Sequence, residues 1–199
     1  MDVSSPYCTV FKSTIMKTLL VALFLVAAQA TFAQSVCDSI IWKESRKLTW
    51  DDYKAAPLES TMAAARTNYN FLHRWHMEQG VLVGKVICIF SPCKSWSKNK
   101  GSLTLLRHEQ GHFDIAEYFR RVYNKRILEE TYTPESLRLV MLKAYVDIQL
   151  ECLRMEDQYD NETEHSLNRE KQEEWIKKIQ EMLDSMKKYD KEEVRVRLG

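Results

Sequence analysis

The sequence lacks the features typical of nucleic-acid-binding and membrane-spanning proteins. Its 29 Lys and Arg residues balance 28 Asp and Glu residues, for a formal charge of +1, and no long basic run occurs. This excludes the usual electrostatic basis for binding nucleic acid or an anionic membrane. The apolar run from Leu19 to Ala28 is shorter than the roughly 20 residues that a membrane-spanning helix needs.

The chain also lacks internal repeats and low-complexity linkers. Its 199 residues, of which 45% are hydrophobic, suffice for one domain with a substantial core. We therefore expect a single globular domain and assign it to residues 34–188.

The N-terminal segment has the pattern of a secretory signal peptide. In MKTLLVALFLVAAQATFAQ, a lysine precedes the apolar run, and small residues suited to cleavage follow it. We expect cleavage after Ala33, with cleavage after Ala30 as the alternative. Residues 1–33 then comprise extra N-terminal residues and a signal peptide that begins at Met16, and an extended signal-peptide start is the alternative. The expected location is secreted or periplasmic, with no stable membrane insertion after cleavage.

Four cysteines follow the predicted cleavage site: Cys37, Cys88, Cys93 and Cys152. Export leads to an oxidising compartment, where two disulfides are possible. The sequence does not choose among the three possible pairings, although Cys88 and Cys93 are close enough to flank one turn. The residues before Cys37 lack the leucine and small residues of a lipidation signal, so we expect release of the chain rather than anchoring.

Strand signals dominate the first part of the predicted domain. Two runs rich in Val, Ile and aromatic residues flank Gln79-Gly80, a pattern typical of an antiparallel hairpin. The stretch LTWDDYKAAP predicts a short helix or turn that starts at Thr49 and ends before Pro57.

Helical periodicity follows and predicts three helices, at about residues 102–130, 134–158 and 167–188. Thr133 followed by Pro134 predicts the start of the second helix. The last residues, 189–199, have mixed charge and little to bury, so we expect a solvated or frayed tail. An apolar stripe of the second helix is expected to face the core and contains Leu137, Met141, Ala144, Ile148, Cys152 and Met155.

The first predicted helix contains the motif H-E-x-x-H, formed by His108, Glu109 and His112. Two histidines at this spacing lie about 40° apart around a helix and can bind one zinc ion together. Their side of the helix also carries apolar residues, so both imidazoles are expected to face the core. The flanks and back of the helix are expected to face solvent, and they include Gln110, Glu117, Arg120 and Arg121.

The alternative is that the two histidines are core residues with other hydrogen-bond partners. Each unsatisfied buried polar group costs about 1–3 kcal/mol, and a metal ion would satisfy both rings at once, so we favour zinc. Glu109 lies about 100° from His108 around the helix, where a carboxylate can deprotonate a zinc-bound water. Glu109 is therefore the predicted general base.

A catalytic zinc site needs a third protein ligand and one open position. A glutamate of the second helix, Glu151 or Glu156, is one possibility, but neither falls in a recognisable motif. The stretch YDNETEHS contains further ligand types, among them Asp160 and His165. The residues alone leave the third ligand open.

Four stretches in order, LTWDDYKA, SW, HEQGHFDI and YDNETEH, resemble a bacterial family of predicted secreted zinc-dependent proteases, the domain-of-unknown-function family 922. The resemblance covers about residues 48–175. It implies a zincin-like domain with His108, His112 and His165 as zinc ligands and Glu109 as the catalytic glutamate. The family's usual glycine after the last histidine is replaced here by Ser166.

Two residues of YDNETEH have alternative roles. Asp160 is the alternative third ligand, since deuterolysin-like zincins use an aspartate; otherwise its carboxylate is expected to orient an imidazole. Tyr159 is the candidate donor to the oxyanion, and the alternative is a core tyrosine.

The sequence thus predicts a secreted metallopeptidase with Zn²⁺ as cofactor and a peptide or protein as substrate. The expected fold is α+β and zincin-like: an antiparallel sheet packed on the HExxH active-site helix, with two further long helices. An edge strand is expected to bind an extended peptide by backbone pairing. The alternatives are a non-catalytic zinc-stabilised binding module and a zinc amidase that acts on a cell-wall crosslink.

Overall fold

The computed structural model describes residues 37–197 as an α+β arrangement of antiparallel sheets and three long helices. This confirms the predicted fold class at that level. The predicted signal peptide and the residues before it lie outside the described residues. None of the described helices has the length and apolar character needed to cross a membrane.

The hairpin is the main element of the larger sheet. β3 (Tyr69–Glu78) and β4 (Val81–Phe90) pair antiparallel from Tyr69↔Phe90 to Glu78↔Val81. The predicted turn residues join them, and both have positive φ angles, 49° at Gln79 and 80° at Gly80. Two such residues form the tight turn whose twist matches that of the flanking strands.

Two shorter strands pair with β4 along its other edge. β1 (Ile40–Ile41) lies opposite Phe90 and Ile89, and β6 (Glu193–Arg197) lies opposite residues 81–85. β4 is therefore the central strand of the sheet, and its inward side chains form part of the core.

The strand β6 corrects the prediction of a solvated tail. Val194 and Val196 are buried, whereas Glu193, Arg195 and Arg197 between and beside them are exposed. This alternation has the period of two that a half-buried strand requires. The domain therefore extends beyond the predicted limit at residue 188. The two valines alternate with charged residues, so the sequence of this segment did not indicate that they are buried.

A second, two-stranded sheet lies near the start of the helical region. β2 (Ala65–Arg66) pairs antiparallel with β5 (Trp96–Ser97). The predicted turn at Thr49 is a short 3-10 helix, Trp50–Asp52, in which the Asp52 carboxylate accepts a hydrogen bond from the Thr49 backbone N–H at 2.7 Å. A second 3-10 helix, Pro92–Lys94, precedes β5.

Within residues 37–197 one disulfide forms, between Cys37 and Cys93. It ties the start of the described chain to the segment that follows β4. Cys88 and Cys152 are buried free thiols, so the second possible disulfide is not formed. Cys88 and Cys93, although close in sequence, do not pair with each other.

The three helices begin at or near the predicted positions. They are α1 (Leu103–Glu129), α2 (Leu137–Thr163) and α3 (Arg169–Ser185). The Ser102 and Asn168 side chains cap α1 and α3 by accepting backbone N–H groups of their first turns. The predicted stripe of α2, from Leu137 to Met155, packs on the core as expected.

The limits of α2 differ from the prediction at both ends. Thr133 and Ser136 exchange side-chain and backbone hydrogen bonds in a turn, so the helix starts at Leu137 rather than at Pro134. At the other end α2 continues to Thr163 rather than stopping at residue 158. Most of YDNETEH is therefore helical and not a loop.

α1 is surrounded by other elements. The prediction that its flanks and back face solvent is therefore wrong. The helix contacts β4, α2 and α3, and Glu117, Arg120 and Arg121 are each no more than 3% exposed. Both guanidinium groups donate to the Glu117 carboxylate at 2.8 Å. They also donate to the backbone carbonyl groups of Asp190, Lys191 and Leu183. Charged residues at helical spacing can thus be buried when they satisfy one another.

We expect Val194→Asp to lower the free energy of unfolding by about 2–4 kcal/mol, because it buries a carboxylate in the packed face of β6. Arg195→Gln, on the exposed face of the same strand, should change it by less than about 0.5 kcal/mol. Urea denaturation followed by circular dichroism measures both. Equal, small effects would mean that this segment is the frayed tail expected from the sequence.

Candidate metal centre

His108 and His112 of α1 converge on Asp160 of α2. Each histidine Nε2 lies 3.0 Å from the same carboxylate oxygen, Asp160 Oδ1. One potential ligand atom from each of the three residues lies within 4.8 Å of the others. This group could hold a metal ion, as the histidine pair predicts.

The last turns of α2 bring Asp160 to this point. Glu156, Tyr159, Asp160 and Thr163 follow one another at the spacing of a single helix face, and all of them approach the histidines. The Tyr159 ring stacks on the His108 imidazole, with ring centroids 4.6 Å apart and planes inclined by 17°. α2 therefore docks on α1 directly behind the histidines.

Gly111 makes this close docking possible. A Cβ atom at Gly111 would collide with the hydroxyl group and ring of Tyr159. Tyr159 is fully buried, and its hydroxyl donates to the backbone carbonyl of His108 at 3.1 Å. The glycine of H-E-Q-G-H, the fourth residue of the motif, is thus required by the packing between helices.

A chain of hydrogen bonds fixes the orientation of His108. Because the Tyr159 hydroxyl donates to a carbonyl, its oxygen accepts from Gln172 Nε2, at 2.6 Å. Gln172 Oε1 therefore faces His108 Nδ1, 3.0 Å away, and accepts a hydrogen bond from its N–H. This arrangement directs the Nε2 atom of His108 toward Asp160.

His112 is oriented by a carboxylate. Its Nδ1 lies 3.3 Å from Glu156 Oε1, and Glu156 Oε2 accepts a hydrogen bond from the Tyr69 hydroxyl at 2.8 Å. Burial alone would lower the pKa of His112, but hydrogen bonds to Asp160 and Glu156 raise it to about 10. The two carboxylates therefore favour a positive charge at the point where the ligand atoms meet.

The same environment affects Asp160. Burial alone would raise the pKa of its carboxyl group, but hydrogen bonds from His108 and His112 hold this pKa well below its ordinary value. Asp160 is therefore an anion in this setting. An anionic oxygen beside two imidazole nitrogens is a donor set that binds transition-metal ions.

Glu109 has a different environment from the three converging residues. It is 4% exposed, and its Oε2 accepts a hydrogen bond from the Thr67 hydroxyl at 2.6 Å. The Thr67 hydroxyl is in turn 2.7 Å from the hydroxyl of Tyr53, the tyrosine of LTWDDYKA. The carboxylate of Glu109 is thus fixed by residues that lie far from α1 in the sequence.

The remaining polar positions of HEQGHFD attach α1 to the segment before the first 3-10 helix. Gln110 Oε1 accepts the Leu48 backbone N–H at 2.7 Å, and Gln110 Nε2 donates to Asp114 at 2.8 Å. Asp114 also accepts from the Trp42 indole at 2.7 Å and pairs with Lys47. Two of the four motif stretches therefore meet along α1.

The structure does not bring His165 into the converging group. Its side chain is 74% exposed, and its Nδ1 lies 3.7 Å from Asp160 Oδ2, on the outer side of that carboxylate. The physical reason is the length of α2, which places Asp160 on the helix and His165 just after its C-terminal end. Asp160, the alternative third ligand, occupies the position predicted for His165.

Tyr159 does not occupy the position that its predicted catalytic role requires. Its hydroxyl is fully buried and engaged with His108 and Gln172, on the side of the histidine rings away from the cleft. An oxyanion donor must be able to reach the substrate carbonyl oxygen. The geometry instead matches the alternative, a core tyrosine that positions α2.

The candidate metal-binding group of His108, His112 and Asp160 opens into a cleft of about 860 Å³. His108, Glu109, His112 and Asp160 line this cleft, and so do residues 62–69, which include β2. His165 lies at the border of the same cleft. All four residues of the candidate centre can therefore be reached from solvent.

β2 presents one edge beside this cleft. Among the described strands it pairs only with β5, and Lys98 N donates to Ala64 O. Bonded residues alternate along an antiparallel pair, so Ala64 and Arg66 direct their backbone groups toward β5. Ala65 and Thr67 direct theirs the other way, and both residues line the cleft.

Several residues of the site were not identified from the sequence. They are Gln172 and Thr163, which approach His108, and Thr67, which holds Glu109. Glu156 was considered as a ligand, but the structure places it against Nδ1 of His112. The helical spacing of E-x-x-Y-D-x-x-T could have revealed the α2 residues, whereas Gln172 and Thr67 carry no local signal.

Comparison with known proteins finds no match to a family model, to a curated protein or to a solved structure. The resemblance to the family of predicted zinc-dependent proteases therefore stays a prediction. The geometry of His108, His112 and Asp160 defines a candidate metal centre without that resemblance.

We expect Asp160→Ala to weaken zinc binding by orders of magnitude, because it removes the oxygen on which both imidazoles converge. His165→Ala should weaken it by less than about tenfold, since this side chain lies outside the group. Chelator competition on the purified chain measures both affinities. The opposite order would restore His165 as the third ligand.

We expect Glu156→Gln to reduce zinc affinity by about 10–100-fold, because the amide orients His112 less well than the carboxylate does. Glu164→Gln is the matched control, since Glu164 also lines the cleft but contacts neither histidine. Its affinity should stay within about twofold of the wild type. Equal losses in the two variants would indicate a general effect of negative charge instead of a specific contact.

Proposed function

We propose that the chain is a zinc-dependent metallopeptidase, a hydrolase that cleaves peptide bonds. One observation carries the proposal. Both histidines have their Nδ1 atoms engaged by side chains, Gln172 and Glu156, so that both Nε2 atoms are directed at Asp160 inside an open cleft. Orienting contacts of this kind are what a metal centre requires and a pair of ordinary core histidines does not.

The donor set fits zinc. Imidazole nitrogen and carboxylate oxygen are both ligand types that zinc accepts, and three protein ligands are typical of catalytic rather than structural zinc sites. The cleft lies on the open side of the group. A zinc ion held by His108, His112 and Asp160 would polarise a carbonyl group and make water more acidic.

Glu109 is suited to move the proton. It is next to His108 in the sequence, lines the same cleft and is not a member of the converging group. The Thr67 hydroxyl donates to Oε2, which holds the carboxylate in one orientation and leaves Oε1 to accept a proton from water. The protonated carboxyl can then deliver that proton to the leaving amine.

The shape of the cleft favours an extended polypeptide as the substrate. The outward backbone groups of Ala65 and Thr67 offer N–H and C=O partners at the spacing of a strand. A peptide paired with this edge would lie in the same cleft as the candidate metal-binding group. Backbone pairing selects for peptides over compounds that lack a repeating amide.

Export of the protein is part of the proposal. The signal peptide predicted within residues 1–33 and the Cys37–Cys93 disulfide are consistent with each other, because disulfides persist in oxidising compartments. We therefore place the activity in the periplasm or outside the cell.

We expect Glu109→Gln to retain zinc and the fold while lowering kcat on a cleavable peptide by at least about 100-fold, because it removes the base but no metal ligand. Activity is measured with a library of internally quenched peptides, and zinc by elemental analysis of the same samples. Gln110→Glu is unsuitable as a control because Gln110 binds the Leu48 backbone. Glu164→Gln is suitable, and it should keep wild-type kcat.

Two results would contradict the proposed peptidase. A wild-type chain that binds peptides and zinc but cleaves no member of the library is the non-catalytic binding module. A chain that cleaves a cell-wall crosslink and no linear peptide is an amidase. Hydrolysis that survives Glu109→Gln at the wild-type rate would remove Glu109 from the reaction.

A further inference from the structure

α2 carries an exposed apolar stripe on the side opposite its core-facing stripe. At about 100° per residue, the exposed residues fall within a sector about 80° wide, centred roughly 180° from Leu137. Monomeric proteins rarely expose a contiguous row of large apolar side chains without a partner. The row comprises Leu139, Leu142, Val146, Leu150 and Leu153, exposed by 71%, 57%, 46%, 47% and 53%.

This row is continuous with the candidate metal centre. Asp157 and Asp160 lie in the same sector of α2, one to two turns beyond Leu153. Leu153, Asp157 and Asp160 all line the cleft. From Leu139 to Asp160 the surface extends over 21 residues, or about 31 Å at 1.5 Å per residue.

We infer that the exposed stripe of α2 is a docking surface for the polypeptide that enters the cleft, and that it holds an amphipathic helix of this substrate. The inference rests on the proposed function. It places recognition of the substrate at a surface separate from the reacting bond. A helical substrate segment would lie along α2, and the extended segment next to it would enter the cleft.

The chemistry of the surface favours a helix as the occupant. The interior backbone N–H and C=O groups of α2 are used within the helix, so a partner can engage this surface only through side chains. The exposed residues follow at intervals of three and four, the spacing at which two amphipathic helices interlock. A helix in the partner also satisfies its own backbone groups.

The charges beside the stripe indicate which charges the partner should carry and where. Arg138 and Arg154 flank it, as does Lys143, which forms an ion pair with Asp147, whereas Asp157 and Glu164 lie at its cleft end. Complementary charges in the partner would be acidic beside the apolar residues of its helix and basic in the segment that enters the cleft. Such a pattern fixes the direction in which the substrate lies.

A synthetic peptide tests the docking without any bond cleavage. The probe is a fluorescein-labelled amphipathic peptide of four heptads, with Leu at the a and d positions and Glu at the e and g positions, and its affinity is read by fluorescence anisotropy. We expect Val146→Glu in the wild-type chain to weaken binding by at least tenfold. Leu72→Glu is the matched control, because Leu72 is 44% exposed on the outer face of β3, and its affinity should equal that of the wild type.

A second measurement links docking to the cleft. A peptide that the wild-type chain cleaves should show a KM at least tenfold lower when it is joined to this helix, with kcat unchanged. Val146→Glu should abolish that difference and leave cleavage of the short peptide unaltered. Loss of all cleavage with intact helix binding would contradict the proposed peptidase, whereas normal cleavage with no effect of the helix would overturn the docking surface.

The same variant also tests two other possible partners of the stripe, a second copy of the chain and a lipid surface. A wild-type chain that sediments as a dimer and becomes a monomer in Val146→Glu would assign the stripe to contacts between copies, which overturns the inference. Binding to phosphatidylcholine vesicles that Val146→Glu abolishes, without binding to the peptide, would assign it to a lipid surface and overturn it as well.

Discussion

The contact between Tyr159 of α2 and the first half of α1 determines the geometry of the candidate centre. The phenol ring stacks on His108, its hydroxyl binds the His108 backbone, and Gly111 leaves the room that this approach needs. This contact fixes the distance between the two helices. It also sets the position of Asp160, the next residue, and engages Gln172, which orients His108. The packing of one buried aromatic ring thus controls the ligand distances and the orientation of the His108 ring together.

The burial of α1 explains why its polar residues have dedicated partners. In a helix enclosed by a sheet and two other helices, each unsatisfied polar side chain costs about 1–3 kcal/mol, so most of them are paired. Gln110 and Asp114 bind the segment before the first 3-10 helix, and Glu117 binds two arginines. The contacts that stabilise the fold and those that orient the site lie on the same helix. Substitutions that alter this polar lining are therefore expected to affect stability and metal binding together.

The sequence predicted correctly those features that depend on residues close together in the chain. The hairpin at Gln79-Gly80, the convergence of His108 with His112 and the core stripe of α2 follow from turn chemistry and helical period. The errors concern features decided by distant contacts. Burial of the α1 arginines depends on an acceptor at Glu117 and on backbone carbonyls about 60–70 residues away. The pairing of β6 with β4 joins residues more than 100 positions apart, and no local pattern specifies it.

The third member of the candidate metal-binding group depends on where α2 ends. If the helix stopped at residue 158, as the sequence suggested, the following loop would be free to bring His165 toward the histidines. Instead the backbone N–H groups of His165 and Asn168 donate to the carbonyls of Asp160 and Thr163, which ends the helix after Thr163. Glu164, His165 and Ser166 then adopt positive φ angles of 50°, 52° and 80°. Such backbone conformations cost about 1–2 kcal/mol per residue without glycine, so the capping bonds and the packing of Tyr159 must outweigh that cost. The same energetic balance directs the Asp160 carboxylate inward and leaves the His165 imidazole at the border of the cleft.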